Sequence, residues 1–305
     1  MNVSEPVLAI DAGGTMFKSA LVAGGGIVDS TWRSVPVDSS GPAESVLAAY
    51  RDMVRHALAD AAGLGGGLAG VCVSTPGPFD YAAGCSRMLH KFRSLYGVDL
   101  RKAMRDGTGL PADTPIRFIH DANAFVMGEY RYGAAKGFAS VAGITLGTGI
   151  GCGWIVGNQL RPNDSGGPLE SVYRLACRGG VLEDFASGRG LIALYRRHSG
   201  TDDPSLTARG IADLARNSDG AQALAAFAEM GTCLGETIAP LLVRHGIQCL
   251  VFGGQISRAF DLFGDSVSAA LGLQAGGIAV RQALHIDTAA LMGCPTNTTT
   301  LRMGR

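Results

Sequence analysis

The sequence predicts an α/β protein in which mixed sheets are flanked by helices, and two observations carry that prediction. The first is a pair of similar hairpins, since residues 7–22 and residues 141–156 each read as strand, Gly/Thr turn and strand. The second is an alternation between short apolar runs and stretches whose apolar residues recur at helical spacing. Two hairpins of one type suggest two related halves built on the same plan.

The first hairpin has the composition of a phosphate-binding turn. Residues 7–10 form a continuous apolar run, which is typical of a strand buried on both faces. In the turn, Gly13 and Gly14 can adopt positive φ and leave room for a ligand, and Thr15 adds a hydroxyl donor. Asp11 could hold the hydrated Mg²⁺ that accompanies a nucleotide. A plain hairpin that uses two glycines is the alternative, and the turn alone leaves both open.

The remaining elements follow the same alternation. Residues 27–35 are expected as the third strand of an antiparallel meander, and residues 79–97 as a surface loop or irregular hairpin that carries substrate contacts. Further strands are expected at 69–74, 116–119, 141–146, 150–156, 248–252 and 278–280, and helices at 42–62, 99–106, 122–132, 188–197, 205–216, 221–245, 260–271 and 288–292.

Composition excludes several classes of protein. The 305 residues suffice for two domains, and equal counts of 26 basic and 26 acidic residues argue against a nucleic-acid or membrane-surface binder. The seven cysteines show no Cys-x-x-Cys pairing and read as reduced thiols. With no recognisable leader and no run of about 18 apolar residues, a cytoplasmic protein without nucleic-acid or membrane partners is expected.

Several motifs, taken in order, resemble those of the ROK family of sugar kinases, within the actin-like ATPase superfamily. This resemblance implies a two-lobed actin-like ATPase (ribonuclease H-like) fold with a cleft between the lobes. It also implies an N-terminal lobe of residues 1–120, completed by 288–305, and a C-terminal lobe of residues 121–287. The motifs that carry it are residues 11–15 (Asp-Ala-Gly-Gly-Thr), 74–80 (Ser-Thr-Pro-Gly-Pro-Phe-Asp), 120–124 (His-Asp-Ala-Asn-Ala), 146–153 (Leu-Gly-Thr-Gly-Ile-Gly-Cys-Gly), 186–188 (Ala-Ser-Gly) and 252–254 (Phe-Gly-Gly).

The resemblance implies an ATP- and Mg²⁺-dependent kinase that phosphorylates a hydroxyl of a sugar or sugar-like polyol. Asp121 follows a predicted strand and begins a predicted helix, where a carboxylate can accept a hydroxyl proton or simply cap the helix. The flanking motif favours catalysis. The implied roles are nucleotide contacts for Asp11, Gly13, Gly14, Thr15, Thr148, Gly149, Gly188, Gly253 and Gly254, and acceptor contacts for Gly77, Lys91, His120, Glu170 and Tyr173.

The departures from the family lie at the acceptor side. His120 stands where the family carries Asn, Lys91 aligns with the Asn of an Asn-Leu pair, and Tyr173 replaces a His that contacts both sugar and zinc. An acceptor with an anionic group would suit Lys91, Arg93 and His120 near one pocket, but solvated loop charges are the more ordinary role for Lys91 and Arg93.

The family's zinc loop has also changed. The matching residues 174–181 keep one cysteine, Cys177, whereas a structural zinc site takes about four ligands. No zinc is therefore expected, and packing of Leu175, Val181 and Leu182 is expected to hold the loop instead.

Two alternatives to an ATP-dependent kinase remain. A non-catalytic carbohydrate sensor is one, although only ten residues precede Asp11, which leaves no room for the helix-turn-helix domain of the family's transcription factors. A kinase that uses polyphosphate as its donor is the other. Dimers are common in the family, which leaves a homodimer open.

Overall fold

The computed structural model describes residues 5–217, 220–272 and 277–294, and its chain forms two compact units. Unit 1 comprises residues 1–128, 162–168 and 288–305, and unit 2 comprises residues 129–161 and 169–287. Residues 295–305, part of the segment predicted to complete the N-terminal lobe, lie outside the described residues. The division into lobes at residue 120 stays a prediction.

Up to the end of the third helix, groups of strands are separated by single helices. Short 3₁₀ turns occur at Asp29–Thr31 and Arg93–Leu95. The named elements are β1 (Val7–Ala12), β2 (Met16–Ala23), β3 (Gly26–Ile27), β4 (Arg33–Pro36), α1 (Ala43–Gly63), β5 (Gly70–Thr75), β6 (Phe79–Asp80), β7 (Cys85–Ser86), α2 (Leu100–Arg105), β8 (Ile116–His120) and α3 (Asp121–Tyr132).

The rest of the chain contains the second hairpin and most of the helices. A 3₁₀ turn covers Gln255–Ala259. The named elements are β9 (Val141–Leu146), β10 (Ile150–Val156), β11 (Gln159–Leu160), β12 (Ala176–Cys177), β13 (Gly180–Val181), α4 (Glu183–Ala186), α5 (Gly188–Ser199), α6 (Ala208–Ala215), α7 (Ala221–Arg244), β14 (Cys249–Gly253), α8 (Phe260–Gly272), β15 (Ala279–Gln282) and α9 (Ala289–Gly293).

The main sheet of unit 1 has the order β3-β2-β1-β5-β8, and β4 also pairs with β2. β1 runs antiparallel to β2 and parallel to β5, which in turn is parallel to β8. β5 is buried along its whole length, as predicted, including Ser74 and Thr75 at its end. Because parallel strands end at the same edge of a sheet, Asp11 lies opposite Ser74, and Thr75 lies opposite His120.

The predicted third strand at residues 27–35 is wrong as one element. The chain instead forms β3, a 3₁₀ turn and β4, which pair with different parts of β2. The side chain of Thr31 explains the break, because its hydroxyl oxygen accepts a hydrogen bond from the Leu21 amide (2.9 Å) and its hydroxyl donates to the Val28 carbonyl (2.7 Å). The Thr31 hydroxyl thus provides the hydrogen-bond acceptor for the Leu21 amide that a carbonyl of a continuous neighbouring strand would otherwise provide.

The segment at residues 79–97 was expected as a surface loop or an irregular hairpin, and it forms an irregular hairpin. β6 and β7 pair antiparallel, and the 3₁₀ turn at Arg93–Leu95 follows. Three of its apolar side chains are buried, since Phe79, Phe92 and Leu95 are at most 4% exposed, whereas Leu89 and Tyr96 are exposed. The segment is therefore anchored in the core of unit 1.

Helix α9 packs directly on α3 within unit 1. A Cβ on Gly128 of α3 would overlap the backbone of Ala289, and a Cβ on Gly293 of α9 would overlap the carbonyl of Ala124. Only glycine permits this approach of two helices, so these two positions join residues 288–294 to the N-terminal part of the chain.

The sheet of unit 2 repeats the plan of the first sheet. Its order is β11-β10-β9-β14-β15, with an antiparallel hairpin of β9 and β10 followed by parallel strands β14 and β15. The predicted bounds of β9 and β10 are confirmed. Helix α6 begins at Ala208 rather than the predicted residue 205, because Thr207 caps it by accepting a hydrogen bond from the Gly210 amide at 3.0 Å.

Helix α7 is the central helix of unit 2. Two glycines on it, Gly231 and Gly235, admit α8 so closely that a Cβ on either would lie 2.6 Å from the nearest atom of α8. By length and composition alone α7 could also cross a membrane, but 61% of its most apolar 18-residue stretch is buried inside the protein. That burial is what a core helix shows.

Residues 174–182 are held by more than the expected packing. Leu182 is fully buried and Leu175 packs against the core, as predicted. Arg178 additionally bridges this loop to α7, since its guanidinium lies 3.0 Å from Glu229 and 3.2 Å from Glu236. An ionic clamp therefore supplements the apolar contacts.

Removing the clamp should destabilise unit 2 modestly. Arg178→Met and Glu236→Gln are expected to show a coupling of about 0.5–1 kcal/mol in the free energy of unfolding, because both side chains are more than a third exposed and solvent weakens the pair. Urea unfolding of the two single variants and the double variant measures it. Exposed Arg209→Met is the control, and a coupling no larger than experimental error would contradict the clamp.

Candidate active site

Asp11 lies near the end of β1, at the edge where the parallel strands of unit 1 terminate. The Ser74 hydroxyl donates a hydrogen bond to its Oδ1 at 3.2 Å. Burial, followed by the negative charge of Asp121, raises the pKa of Asp11 from 3.8 to about 6, although the charge of Lys18 and the Ser74 hydroxyl oppose the rise. Two carboxylates thus share a confined region in which a cation would be favoured.

The turn of residues 13–15 joins β1 to β2 as predicted. The Gly14 carbonyl accepts a hydrogen bond from the Ser39 amide at 3.2 Å, and the Thr15 carbonyl accepts one from the Val37 amide at 3.0 Å. These bonds fix the turn from outside. A Cβ on Gly14 would lie 3.5 Å from Cδ of Lys91, which places that predicted acceptor residue beside the phosphate turn.

Asp121 begins α3 directly after β8. Its Oδ1 accepts a hydrogen bond from the adjacent Ala122 amide at 2.7 Å and lies 2.9 Å from His120 Nδ1. Within the described residues its Oδ2 has no partner. Protein atoms surround the carboxylate on most sides, yet 42% of the side-chain surface is accessible, so a substrate hydroxyl can reach it.

The pKa of Asp121 moves in the direction opposite to that of Asp11. Burial raises it, but the charge and hydrogen bond of His120, the Ala122 amide and the charge of Lys91 together outweigh burial and leave the pKa of Asp121 below its ordinary value. Asp121 is therefore ionised at neutral pH and able to accept a proton.

His120 sits beside this carboxylate with only 13% of its side chain exposed. Its Nδ1 also lies 3.2 Å from the Ala122 amide, so this nitrogen accepts that hydrogen bond when it carries no proton and donates to Asp121 when it carries one, but not both. A Cβ on Gly77 would lie 3.7 Å from the His120 ring and 3.5 Å from the Tyr81 hydroxyl. Gly77 and His120, both predicted acceptor residues, are thus neighbours in unit 1.

Tyr81 was missed by the sequence analysis. Its ring centroid lies 6.1 Å from that of His120, and its hydroxyl donates to the Thr75 carbonyl at 3.2 Å. Burial and then the charge of Asp121 raise the pKa of Tyr81, so it stays a neutral donor. Nothing in its irregular surroundings in the sequence distinguishes it from a core tyrosine.

Unit 2 contains the second turn, between β9 and β10. The Gly147 carbonyl accepts a hydrogen bond from the Gly188 amide at 2.8 Å, which brings Gly188 together with Thr148 and Gly149. Glu183 holds the turn from the side, because its Oε2 accepts a hydrogen bond from the Ile150 amide at 3.1 Å. Glu183 was also missed, although it stands just before the 186–188 motif.

β14 ends at Gly253, and Gly254 follows it beside the same turn. Gly253 pairs with Thr145 of β9, and Gly254 has φ +81°. A Cβ on Gly254 would overlap the backbone of Leu146, so this position requires glycine for two reasons. The two glycines therefore lie at the end of β9 from which residues 147–149 extend.

Glu170 and Tyr173 have protein partners in unit 2. The Glu170 carboxylate lies 3.2 Å from His245 Nε2 and 3.5 Å from Arg244 Nη1 at the end of α7. The Tyr173 ring is covered by the Arg174 guanidinium at 5.1 Å and packs on the core. Their predicted contact with an acceptor stays a prediction.

In the part of the chain that the structure describes, no group of three or more His, Cys, Asp or Glu side chains could hold a metal ion. Burial, followed by the neighbouring thiol of Cys177, raises the pKa of Cys233. Asp11, with its neighbouring carboxylate, suits a hydrated divalent cation held through water.

Residues 7–294 match the sequence profile of the ROK family. This chain belongs to the ROK family. A relative at 31% identity is the bifunctional enzyme NanE/NanK of Brucella melitensis, over 88% of this chain and 49% of the relative. The Streptomyces coelicolor glucokinase is 29% identical over 50% of this chain and 55% of that protein. The chain thus spans about half the length of these relatives.

Solved ROK structures share the fold. The Streptomyces griseus ROK glucokinase, determined with glucose and AMPPNP, is 24% identical with a TM-score of 0.73, covering 96% of this chain and 98% of that one. A ROK transcriptional regulator, a homologue of the E. coli MLC protein, is 16% identical with a TM-score of 0.80, covering 96% and 77%. The predicted actin-like ATPase fold is confirmed.

Replacing Asp11 in this ROK protein should stabilise it. At about pH 8, without nucleotide or Mg²⁺, Asp11→Asn is expected to raise the free energy of unfolding by about 1–3 kcal/mol, because a neutral amide removes a buried charge beside Asp121. The folded-state pKa of Asp11 lies above the unfolded value, so the ionised group destabilises above about pH 6. The gain should therefore shrink as pH falls from 6 towards 3.8.

Urea unfolding at about pH 8 and about pH 5 tests this expectation, with the exposed Asp113→Asn as the control. Lower stability of Asp11→Asn at the higher pH, or a gain that does not change with pH, would contradict the assigned environment.

Proposed function

We propose that this ROK protein is an ATP-dependent carbohydrate kinase that transfers the γ-phosphoryl group of ATP to a hydroxyl of a sugar or sugar-like acceptor. The observation that carries the proposal is Asp121, an accessible carboxylate of lowered pKa whose Oδ2 has no partner within the described residues. Relatives named glucokinase and N-acetylmannosamine kinase support the same chemistry.

In the proposed reaction Asp121 is the general base. Its carboxylate accepts the proton of the acceptor hydroxyl while that oxygen forms a bond to the γ-phosphorus and the bond from the γ-phosphorus to the β,γ-bridging oxygen breaks. ADP leaves, and the proton resides on Asp121 until solvent removes it. Because Oδ1 is engaged by the Ala122 amide, Oδ2 is the oxygen available for this proton.

Each unit supplies one turn with the chemistry to bind phosphate. In unit 1 the amides of Gly13 and Gly14 and the Thr15 hydroxyl would donate to phosphate oxygens, and in unit 2 Thr148 and Gly149 would do so. Asp11 would hold Mg²⁺ through water, and the ion, when bound, neutralises charge on the phosphates. Gly188, Gly253 and Gly254 would leave room for the adenosine.

Removing the base should separate binding from transfer. Asp121→Asn is expected to lower kcat by at least about 10²-fold, because an amide cannot accept the proton, while nucleotide affinity stays close to that of the wild type. Coupled ADP-release kinetics and calorimetric titration with a non-hydrolysable ATP analogue measure the two quantities. Asp113→Asn is the surface control, and transfer at the wild-type rate by Asp121→Asn would refute the assignment.

The acceptor is proposed to differ from that of a glucokinase. His120 occupies the position next to the base where the family carries Asn. Its Nδ1 lies against Asp121, so only Nε2 remains to contact an acceptor hydroxyl, whereas an amide offers both an oxygen acceptor and an NH₂ donor. We expect poor use of glucose in a panel of glucose, N-acetylmannosamine and acidic sugars, measured as kcat/KM with ATP and again with polyphosphate.

Efficient phosphorylation of glucose would contradict this expectation. Binding of sugars without turnover of any panel member would instead favour the non-catalytic sensor, and a ROK transcriptional regulator has the same fold. A cytoplasmic location and a homodimer complete the proposal and are open to fractionation and sedimentation experiments.

A further inference from the structure

The side chain of Lys91 lies against the first phosphate turn. Its Cδ and Cε would be 3.5 and 3.6 Å from a Cβ on Gly14, so its aliphatic stem runs along this glycine. The residue is half-buried, unlike its neighbour Arg93, which is exposed. The packed stem directs the ammonium group to the surroundings of the turn rather than freely into solvent.

The backbone holds Lys91 in this place through two hydrogen bonds in series. The Ser39 amide donates to the Gly14 carbonyl at 3.2 Å, and the Phe92 amide donates to the Ser39 carbonyl at 2.8 Å. The loop that carries Lys91 is therefore connected to the phosphate turn through one intervening residue.

Phe92 itself has an uncommon backbone conformation. Its φ of +48° lies in the left-handed region, which residues other than glycine avoid. The conformation is retained because the ring is 2% exposed and packs on Phe17, with a centroid distance of 5.9 Å. A strained residue that is fixed by its core packing thus determines where Lys91 lies.

The ammonium of Lys91 has no hydrogen-bond or ion-pair partner in the part of the chain that the structure describes. Its surroundings in unit 1 include the carboxylate of Asp121, on which its charge acts, and Gly14 of the turn whose amides are expected to bind phosphate. A cation beside backbone donors forms a site that attracts an anion with several oxygens.

We propose that Lys91 is a catalytic residue whose ammonium group binds the γ-phosphoryl group of the nucleotide during transfer, an inference that rests on the proposed kinase function. Lys91 remains protonated throughout and exchanges no proton. The ammonium group balances the negative charge on the non-bridging oxygens of the γ-phosphoryl group while the acceptor oxygen forms its bond to phosphorus and ADP leaves. Contact with Gly14 favours the phosphoryl group over an anionic group on the acceptor.

The test compares Lys91→Met, Lys91→Gln and Lys91→Arg with Lys102→Met, a control on an exposed lysine of the same unit. For Lys91→Met and Lys91→Gln, kcat should fall by about 10²-fold with neutral and acidic sugars alike, while the KM of each sugar is unchanged. Lys91→Arg should restore at least about a tenth of the wild-type kcat, since it keeps the charge.

Calorimetry supplies a readout that is independent of turnover. Affinity for a non-hydrolysable ATP analogue should fall by about 10-fold or more in Lys91→Met and Lys91→Gln, whereas ADP affinity should not change. Equal losses for the analogue and for ADP, or no loss for either, would overturn the proposal. A loss confined to the KM of acidic sugars would assign Lys91 to the acceptor and would also overturn it.

The two proposals can fail separately. If the wild-type protein phosphorylates no sugar, the proposed kinase function fails, and the difference between analogue and ADP affinity still decides whether Lys91 contacts the γ-phosphate. Thermal melting of every variant shows whether it is folded. If either Lys91→Met or Lys91→Gln does not fold, the other still allows a neutral side chain to be compared with the wild-type lysine.

Discussion

The candidate site in unit 1 depends on the common edge at which β1, β5 and β8 end. Parallel pairing of these three strands brings Asp11 and Asp121 together, although most of the N-terminal half of the chain separates them in sequence. Two carboxylates in a confined region repel each other, and this repulsion contributes to the raised pKa of Asp11. Such an arrangement is unfavourable without a cation, which is why it points to function rather than to stability.

The same neighbourhood moves the two pKa values apart. Asp11 has one hydroxyl donor, from Ser74, and its pKa rises with burial. For Asp121, the charge and hydrogen bond of His120, the Ala122 amide and the charge of Lys91 together outweigh burial and lower the pKa. One carboxylate is therefore suited to a cation and the other to a proton, a division of roles that the environment of each group produces.

Local patterns predicted the strands and turns well because both depend on neighbours in sequence. β9 and β10 have the predicted bounds, since an apolar run on each side of a Gly-Thr-Gly turn leaves one way to pair. The predictions were wrong where a single side chain intervenes. Thr31 interrupts the expected third strand, and Thr207 starts α6 later than expected, because hydroxyl groups compete with backbone pairing.

The sequence by itself determined two Gly/Thr turns after apolar strands, and an Asp at the start of a helix. Only the tertiary structure decided the neighbours of the residues that were predicted to contact the acceptor, placing Lys91 beside Gly14 and Glu170 beside Arg244 and His245. The reason is physical. A turn is specified by the few residues that form it, whereas the partner of a long charged side chain is chosen by packing between segments that are distant in sequence.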